Sequence, residues 1–482
     1  MNAHLHDPSG SVHSPANWGD HFDGDDPNWA VAATDGGVRQ AARPVDPQPN
    51  TVHSHDKDAT RPTGPFVPLE PQTLRETGLR PALIESLILK YLLTAGQASG
   101  REIAQQLALA FRWIAPLLDR MKNEQLLSRE SATPLGDFNY ALTPNGTERA
   151  RRYSQQNTYC GAAPVNVDEY VRSVGLQSVR LEKPSLERIR TAFRELVIGE
   201  TQLIQIGEAL NMGKGFFVYG APGNGKTSIA QYAISAYSSS IWIPRALHLN
   251  GEIVRLYDPT LHELAPQEPA DPATDARWVK IRRPMLLVGG DLQLEHLDVT
   301  ANPSTRINEA PIHLKCNGGV LVFDDFGRYK FPIDALLNRL IVPLERRTDC
   351  LHLASGRPFE VPFDLLVVFS TNLRPQDIVD EAFLRRIPYK FKVESPTEDQ
   401  FSLVFLTEAQ KSHLACTREA VEYLLDHYYR NGRYAMRFSH PRDLIRHIRN
   451  ACEFRQVAWQ VTPQLIDAAV STCLGHELPQ NA

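Results

Sequence analysis

No apolar run in these 482 residues is longer than a strand. The most strongly apolar, Leu365-Leu366-Val367-Val368-Phe369, has five members against the roughly 20 that cross a bilayer, so no membrane partner is expected. Bulk basicity is lacking too. Fifty-one Lys and Arg face 56 Asp and Glu, a net charge of −5, unlike a dedicated nucleic-acid binder. No C-x-x-C spacing occurs among Cys160, Cys316, Cys350, Cys416, Cys452 and Cys473. That argues against zinc and against a disulfide framework, and for free thiols in a reducing compartment. The opening Met-Asn-Ala-His has none of the basic, apolar and small-residue order of a signal peptide. The cytoplasm is the expected location.

Charge and composition are unevenly spread. Residues 1–60 hold nine Asp and three Lys or Arg, and residues 1–68 are rich in Asp, Pro, Gly, Asn and His without apolar periodicity. They read as a disordered acidic tail. Six of the sixteen histidines lie there (His4, His6, His13, His21, His53, His55), a pattern that fits a solvated tail better than a metal site.

Residues 72–155 form a second unit. Apolar residues at helical spacing cover 81–94. Ser99 with Glu102 three residues on is a capping box for a helix running through Ile103, Leu107 and Leu109. A third helix spans about 112–125. Strands at 126–128 and 138–142 flank a turn with Pro134 and Gly136, and a last helix runs from about 145 to 152. Three helices and a hairpin resemble a winged helix, whose third helix enters a DNA major groove in DNA-binding members. Eleven Lys and Arg face eight acids in this unit, with Arg112, Arg120 and Lys122 on the third helix and Arg149, Arg151 and Arg152 on the last. DNA binding and protein docking both remain open; Asp119 and Glu124 on the third helix favour docking.

The most informative segment is Gly220-Ala221-Pro222-Gly223-Asn224-Gly225-Lys226-Thr227, a full match to G-x-x-x-x-G-K-[ST]. It follows an apolar strand, residues 215–219, and opens a helix that continues through Ser228. Glycines let the main chain curl so that successive N–H groups face a polyphosphate, and the helix start adds free N–H groups. Lys226 supplies a point charge to the β- and γ-phosphates, and Thr227 a hydroxyl to Mg²⁺. Downstream, residues 318–323 are an apolar strand entered through Gly318-Gly319 and ending at Asp324-Asp325. Asp324 is the expected Mg²⁺ holder and Asp325 the residue that orients attacking water. A further buried strand, 365–369, ends in Ser370-Thr371-Asn372.

This order resembles the AAA+ ATPases. The resemblance covers residues 186–475 and implies an α/β fold: a P-loop parallel-sheet core over 186–395 with a helical lid over 396–478, after a connector at 156–185. It implies ATP as ligand and Mg²⁺ as cofactor. Asn372 matches the sensor 1 position. Arg386, with Arg385 the alternate, matches the finger that reaches the neighbouring subunit's ATP, which implies a homo-oligomeric ring, expected to be a hexamer. Val197-Ile198-Gly199 resembles the segment lining the adenine pocket, so Ile198 and Gly199 join the expected site. Ser439-His440-Pro441-Arg442 resembles the sensor 2 helix start, with Ser439 before the helix and Arg442 facing the phosphates. Asp325 departs from the Glu more usual there and is one methylene shorter, so slow turnover is one reading.

Lys226 and Asp324 are 98 positions apart, which requires an insertion; residues 261–276 read as an exposed loop, with strands at 278–280 and 285–288. Between Asp325 and Asn372, an amphipathic helix at 336–346 precedes two short strands, 350–354 and 357–361, around Ser355-Gly356. This resembles the extra hairpin of MoxR-like ATPases, magnesium chelatase subunits and enhancer-binding activators, where it faces a ring pore. With the winged helix ahead, the chain is similar to the bacterial "ATPase with chaperone activity" type. The implied role is an ATP hydrolase that remodels a protein client, bound directly or through an adaptor. A DNA-tethered ATPase and a nucleotide switch with little turnover are the alternatives.

Overall fold

The computed structural model describes residues 66–133, 136–266, 273–353 and 355–475. The acidic tail up to residue 65, Pro134, the middle of the 261–276 loop and Ala354 lie outside the described residues.

Local sequence chemistry sets the first unit. Helix α1 (Pro81–Ala95) begins with proline in its first turn and buries Ile84, Leu87, Ile88 and Leu92. Strand β1 (Gln97–Ser99) leads into α2 (Gly100–Gln106), where Ser99 and Glu102 form the expected capping box. Helix α2 is shorter than its apolar spacing suggests. Ala108 takes a left-handed φ of 52°, so the chain has turned before Leu109, which is buried from outside the helix. Helix α3 (Phe111–Asn123), strands β2 (Leu127–Ala132) and β3 (Phe138–Leu142), and helix α4 (Pro144–Gln156) complete the unit. Its sheet has order β1-β3-β2; β1 was not legible beforehand, being three residues long.

Residues 156–185, read from the sequence as a connector, contain strand β4 (Val165–Asn166) and helix α5 (Val167–Leu176). Helices α6 (Leu186–Ala192) and α7 (Glu200–Met212) then lead to β5 (Phe216–Gly220) and α8 (Lys226–Ile234). The insertion follows as β6 (Ser240–Pro244), β7 (Ala246–Leu249), β8 (Glu252–Arg255) and β9 (Trp278–Arg282), and the chain re-enters the core at β10 (Met285–Val288). Next come β11 (Thr300–Ala301), β12 (Asn308–Glu309), α9 (Ile312–Lys315), β13 (Val320–Phe323) and α10 (Ile333–Arg346). A hairpin of β14 (Thr348–His352) and β15 (Pro358–Pro362) precedes β16 (Leu366–Thr371), α11 (Glu381–Arg386) and β17 (Tyr389–Val393). The C-terminal helices are α12 (Glu398–Lys411), α13 (Arg418–Leu424), α14 (Ser439–Arg455) and α15 (Pro463–Cys473).

The expected α/β class, a parallel-sheet core with a helical C-terminal unit, is present. The core sheet has order β10-β13-β16-β5-β17, every neighbour parallel. All four residues of β13 and all six of β16 are buried, which is why these strands read as unbroken apolar runs. The chain leaves β5, returns at the far edge and walks back, so crevices open at the C-terminal end of β5. Three phenylalanines lock the register there. Phe369 stacks on Phe323 at 5.2 Å and on Phe217 at 4.9 Å, one from each of three adjacent strands. The insertion is larger than an exposed loop: β7, β8, β11 and β12 build a second sheet with β4, order β11-β12-β8-β7-β4. The β14–β15 hairpin forms as expected. Its Leu351 and Val361 are buried among Tyr170 of α5 and apolar residues of the insertion.

The Gly318-Gly319 pair has a steric origin. A Cβ on Gly319 would lie 2.0 Å from Pro284 O, the carbonyl that receives Val320 N–H at the start of β13. Gly319→Ala is expected to destabilise the protein by about 2 kcal/mol or more in thermal or denaturant unfolding. Gly290→Ala, where a Cβ meets nothing within 4 Å, is the control and should be close to neutral.

Candidate functional site

At the end of β5 the chain turns through Gly223 and Gly225, both left-handed with φ of 77° and 81°. Side chains resist that backbone, and glycine accepts it. The curl leaves the N–H groups of Gly223, Asn224, Gly225, Lys226, Thr227 and Ser228 without an acceptor among the described residues. The last three open α8, so its positive end faces the same space. Six free donors around a glycine curl are the complement of an oxyanion cluster.

Lys226 is buried, 8% exposed, and its ammonium spends all three protons within the protein. Nζ donates to Gly220 O at 3.1 Å, Ala221 O at 3.0 Å and Asn372 Oδ1 at 2.6 Å. Burial holds its pKa below the usual lysine value; Asp324 and Asp325 oppose the shift, and Arg437 adds to it. Thr227 Oγ1 donates to Asp324 Oδ2 at 3.1 Å. Asn372 Nδ2 donates to Asp325 Oδ1 at 3.3 Å. Five residues predicted from separate parts of the chain are thus linked through direct hydrogen bonds in two chains, Lys226–Asn372–Asp325 and Thr227–Asp324.

The main chain at the acids is fixed from both sides. Asp324 N–H bonds Val288 O at 2.8 Å, Tyr329 Oη donates to Asp324 O at 3.1 Å, and Phe326 N–H bonds Ser370 O at 2.8 Å. Between them Asp325 adopts a φ of 45°, uncommon for a residue with a side chain. Such a conformation persists only where the surroundings impose it.

A cleft of about 720 Å³ adjoins these groups. Its lining includes Ile198, Gly199, residues 222–228, Asp324, Asp325, Asn372 and Arg442, so most sequence-predicted site residues meet in one space. Gly220 and Ala221 take part through their carbonyls. Arg385 and Arg386 do not line the cleft of their own chain. Arg386 pairs with Glu345 at 2.9 Å and donates to Ala382 O at 2.7 Å, while Arg385 is exposed. Ser439 corrects the expectation of a serine cap. It lies inside α14, Phe438 holds the cap position without a side-chain bond, and Ser439 N–H instead bonds Gly223 O.

Sequence reading missed Ser395, Gln400, Val404 and Glu408, which line the cleft from the segment between β17 and α12 and from α12 itself. It also missed Arg437, whose Nη1 donates to Ser395 Oγ at 3.2 Å. None of these has a spacing signature; Gln400, Val404 and Glu408 reach the cleft because α12 packs beside it, and Arg437 touches it through Ser395.

Residues 397–472, the C-terminal helical unit, match a family described as a domain of unknown function (DUF8689). No curated protein sequence matches the chain. Among solved structures, NtrX from Brucella abortus is similar at 12% identity and a TM-score of 0.37, over 58% of this chain and 58% of that one. The RuvB Holliday junction branch migration motor of Thermotoga maritima is similar at 13% identity and a TM-score of 0.34, over 59% of this chain and 73% of that one. Among the described residues no helix is long and apolar enough to cross a membrane.

The lysine makes a stability prediction of its own. Its folded pKa lies below its unfolded one, so the unfolded chain holds the proton to higher pH. Stability therefore rises with pH between the two values and carries a penalty below both. Lys226→Met should equal or exceed the wild type in Tm near pH 7 and lack that alkaline rise. Parallel Tm profiles for both proteins would show that the ammonium costs the fold nothing.

Proposed function

We propose that the chain is a Mg²⁺-dependent ATP hydrolase of the AAA+ type that works as a homo-oligomeric ring, expected to be a hexamer, on a protein client. One observation carries the reading: the free N–H groups, the Lys226 ammonium and the Thr227–Asp324 pair face a single cleft. The donor set fits the group it would hold. Thr227 and Asp324 present hard oxygen ligands, and Mg²⁺ bound there would neutralise charge on the phosphates. The loop N–H groups and Lys226 would hold the phosphate oxygens, and Ile198 and Gly199 the base. Asp325 would orient a water and accept its proton, kept in place by Asn372. Arg442 would face the phosphates from the lid.

Arg386, with Arg385 the alternate, would act on the cleft of a neighbouring subunit; standing outside its own cleft agrees with a role in trans. The short Asp325 side chain supports modest turnover, and a nucleotide switch with little hydrolysis is the second reading.

For the first unit, read as a winged helix, the ion pairs favour protein docking over DNA. Arg120 and Arg149 both pair with buried Glu85, Arg112 with Glu70, and Arg152 with Glu148. Of the six cations that would contact phosphates, four are already ion-paired within the chain. The six free cysteines accord with a cytoplasmic location.

Lys226→Ala is expected to lower ATP affinity at least about a hundredfold, measured by calorimetry; retained affinity would remove the lysine from the site. Asp325→Asn should bind ATP with near-normal affinity and hydrolyse it about a hundredfold more slowly or worse. Arg386→Ala should bind ATP normally and lose assembly-dependent turnover. Mixing it with Asp325→Asn subunits should restore part of that turnover, and no recovery would count against action in trans.

A further inference from the structure

The outer surface of the phosphate loop is occupied by the C-terminal helical unit. Ser439 N–H, in the first turn of α14, donates to Gly223 O at 2.8 Å. Phe438 N–H donates to Asn224 Oδ1 at 3.4 Å, and Asn224 Nδ2 donates to Ser395 Oγ at 3.4 Å. Ser395 stands between β17 and α12, where the chain enters the helical unit, and it also receives Arg437. The Asn224 amide, 4% exposed, therefore joins the loop, the entry to the lid and the start of α14. The approach is close: a Cβ on Gly223 would lie 2.5 Å from Ser439 Oγ.

A trans peptide group is planar, and its C=O and N–H point in opposite directions. The Gly223–Asn224 peptide is trans, with its carbonyl turned outward to Ser439. Its N–H therefore points inward, toward the cradle, where it has no acceptor among the described residues. Glycines on both sides of Asn224 would otherwise leave this peptide free to rotate. The docked lid thus fixes the aim of one donor that faces the phosphate position. The same helix carries Arg442 to the cleft three residues later.

We infer that Asn224 is a positioning residue that couples occupation of the phosphate loop to the orientation of the C-terminal lid, an inference that rests on the nucleotide-binding reading above. The inner face of the loop holds the anion through N–H groups, and its outer face holds the lid through the Gly223 carbonyl and the Asn224 amide. Such coupling is reciprocal: if lid docking improves phosphate binding by some factor, phosphate binding improves lid docking by the same factor. A loop residue at this motif position needs no particular side chain to bind phosphate, because the cradle is built from main chain. The Asn224 side chain is therefore available for the lid.

The test uses the full chain, Mg-ATP, a fluorescent ADP analogue, and hydrogen exchange of residues 437–444. In Asn224→Ala the analogue should dissociate about five- to tenfold faster. Mg-ATP should slow exchange at 437–444 strongly in the wild type and only weakly in the variant. Ser395→Ala removes the same amide's partner without altering the phosphate loop, should reproduce the phenotype, and carries the test if Asn224→Ala does not fold. The double variant should be no worse than the worse single one. Wild-type dissociation with undiminished nucleotide-dependent protection in both variants overturns the inference alone. A wild type that binds neither nucleotide overturns the parent reading with it.

Discussion

An ammonium group held out of water must find acceptors for its protons close by, and that demand organises the centre of this protein. Lys226 meets it with two loop carbonyls and Asn372, and Asn372 in turn holds Asp325. The two carbonyls lie at the end of β5 and the amide just past the end of β16, so the lysine can be satisfied only where those strands end side by side. The burial that lowers the lysine's pKa also strengthens its attraction for any anion entering the cleft. Stability and anion attraction thus pull on the same charge, and the burial that costs the first strengthens the second.

The sheet supplies the geometry that the lysine needs. Phe217, Phe369 and Phe323 stand opposite one another on β5, β16 and β13, and their rings stack in a row just below the strand ends. Phe326, beyond the two acids, packs edge-on against Phe369 at 4.9 Å and against Phe217 at 5.9 Å. The segment with Asp324 and Asp325 is therefore pinned on both sides: stacked rings below, and Phe326 folded back beneath the turn. A shift of one strand by one residue would turn each ring to the other face and carry the acids away from the loop. Aromatic packing and the site are two consequences of one register.

How much of this could be read in advance depended on how local the signal was. The phosphate loop is eight consecutive residues, and the capping box at Ser99 four, so their chemistry is complete within a short window. Strands β13 and β16 were legible because parallel burial erases polar alternation. The insertion sheet was not: β11 and β12 have two residues each, and β4 joins them from the other side of the phosphate loop. Pairing over such a distance leaves no mark in sequence spacing. Ser439 shows a second limit. Serine next to a helix start suggests a cap, yet its N–H was claimed by the carbonyl of Gly223, more than two hundred residues earlier. A tertiary partner outweighed the local rule.

The non-local parts are also those that connect the first unit to the cleft. Ala246 of β7 and Ile253 of β8 lie in the core of the first unit, while Leu247 and Val254, next in sequence, lie in the core shared with the hairpin. Alternating sides of the same strands thus serve two neighbours. At the hairpin's exit, Asn317 donates to Pro362 O at 2.7 Å and to Tyr170 Oη at 2.9 Å, and receives Asp364 N–H at 2.9 Å. Asn317 leads directly into β13 and Asp364 into β16, the two strands whose far ends carry Asp324 and Asn372. A displacement of the hairpin cannot leave both strands where they are, because their starts are bonded to its end. The β7–β8 layer that rests on the first unit is therefore in continuous packed contact with the acid and amide of the cleft, by a route that bypasses the lid.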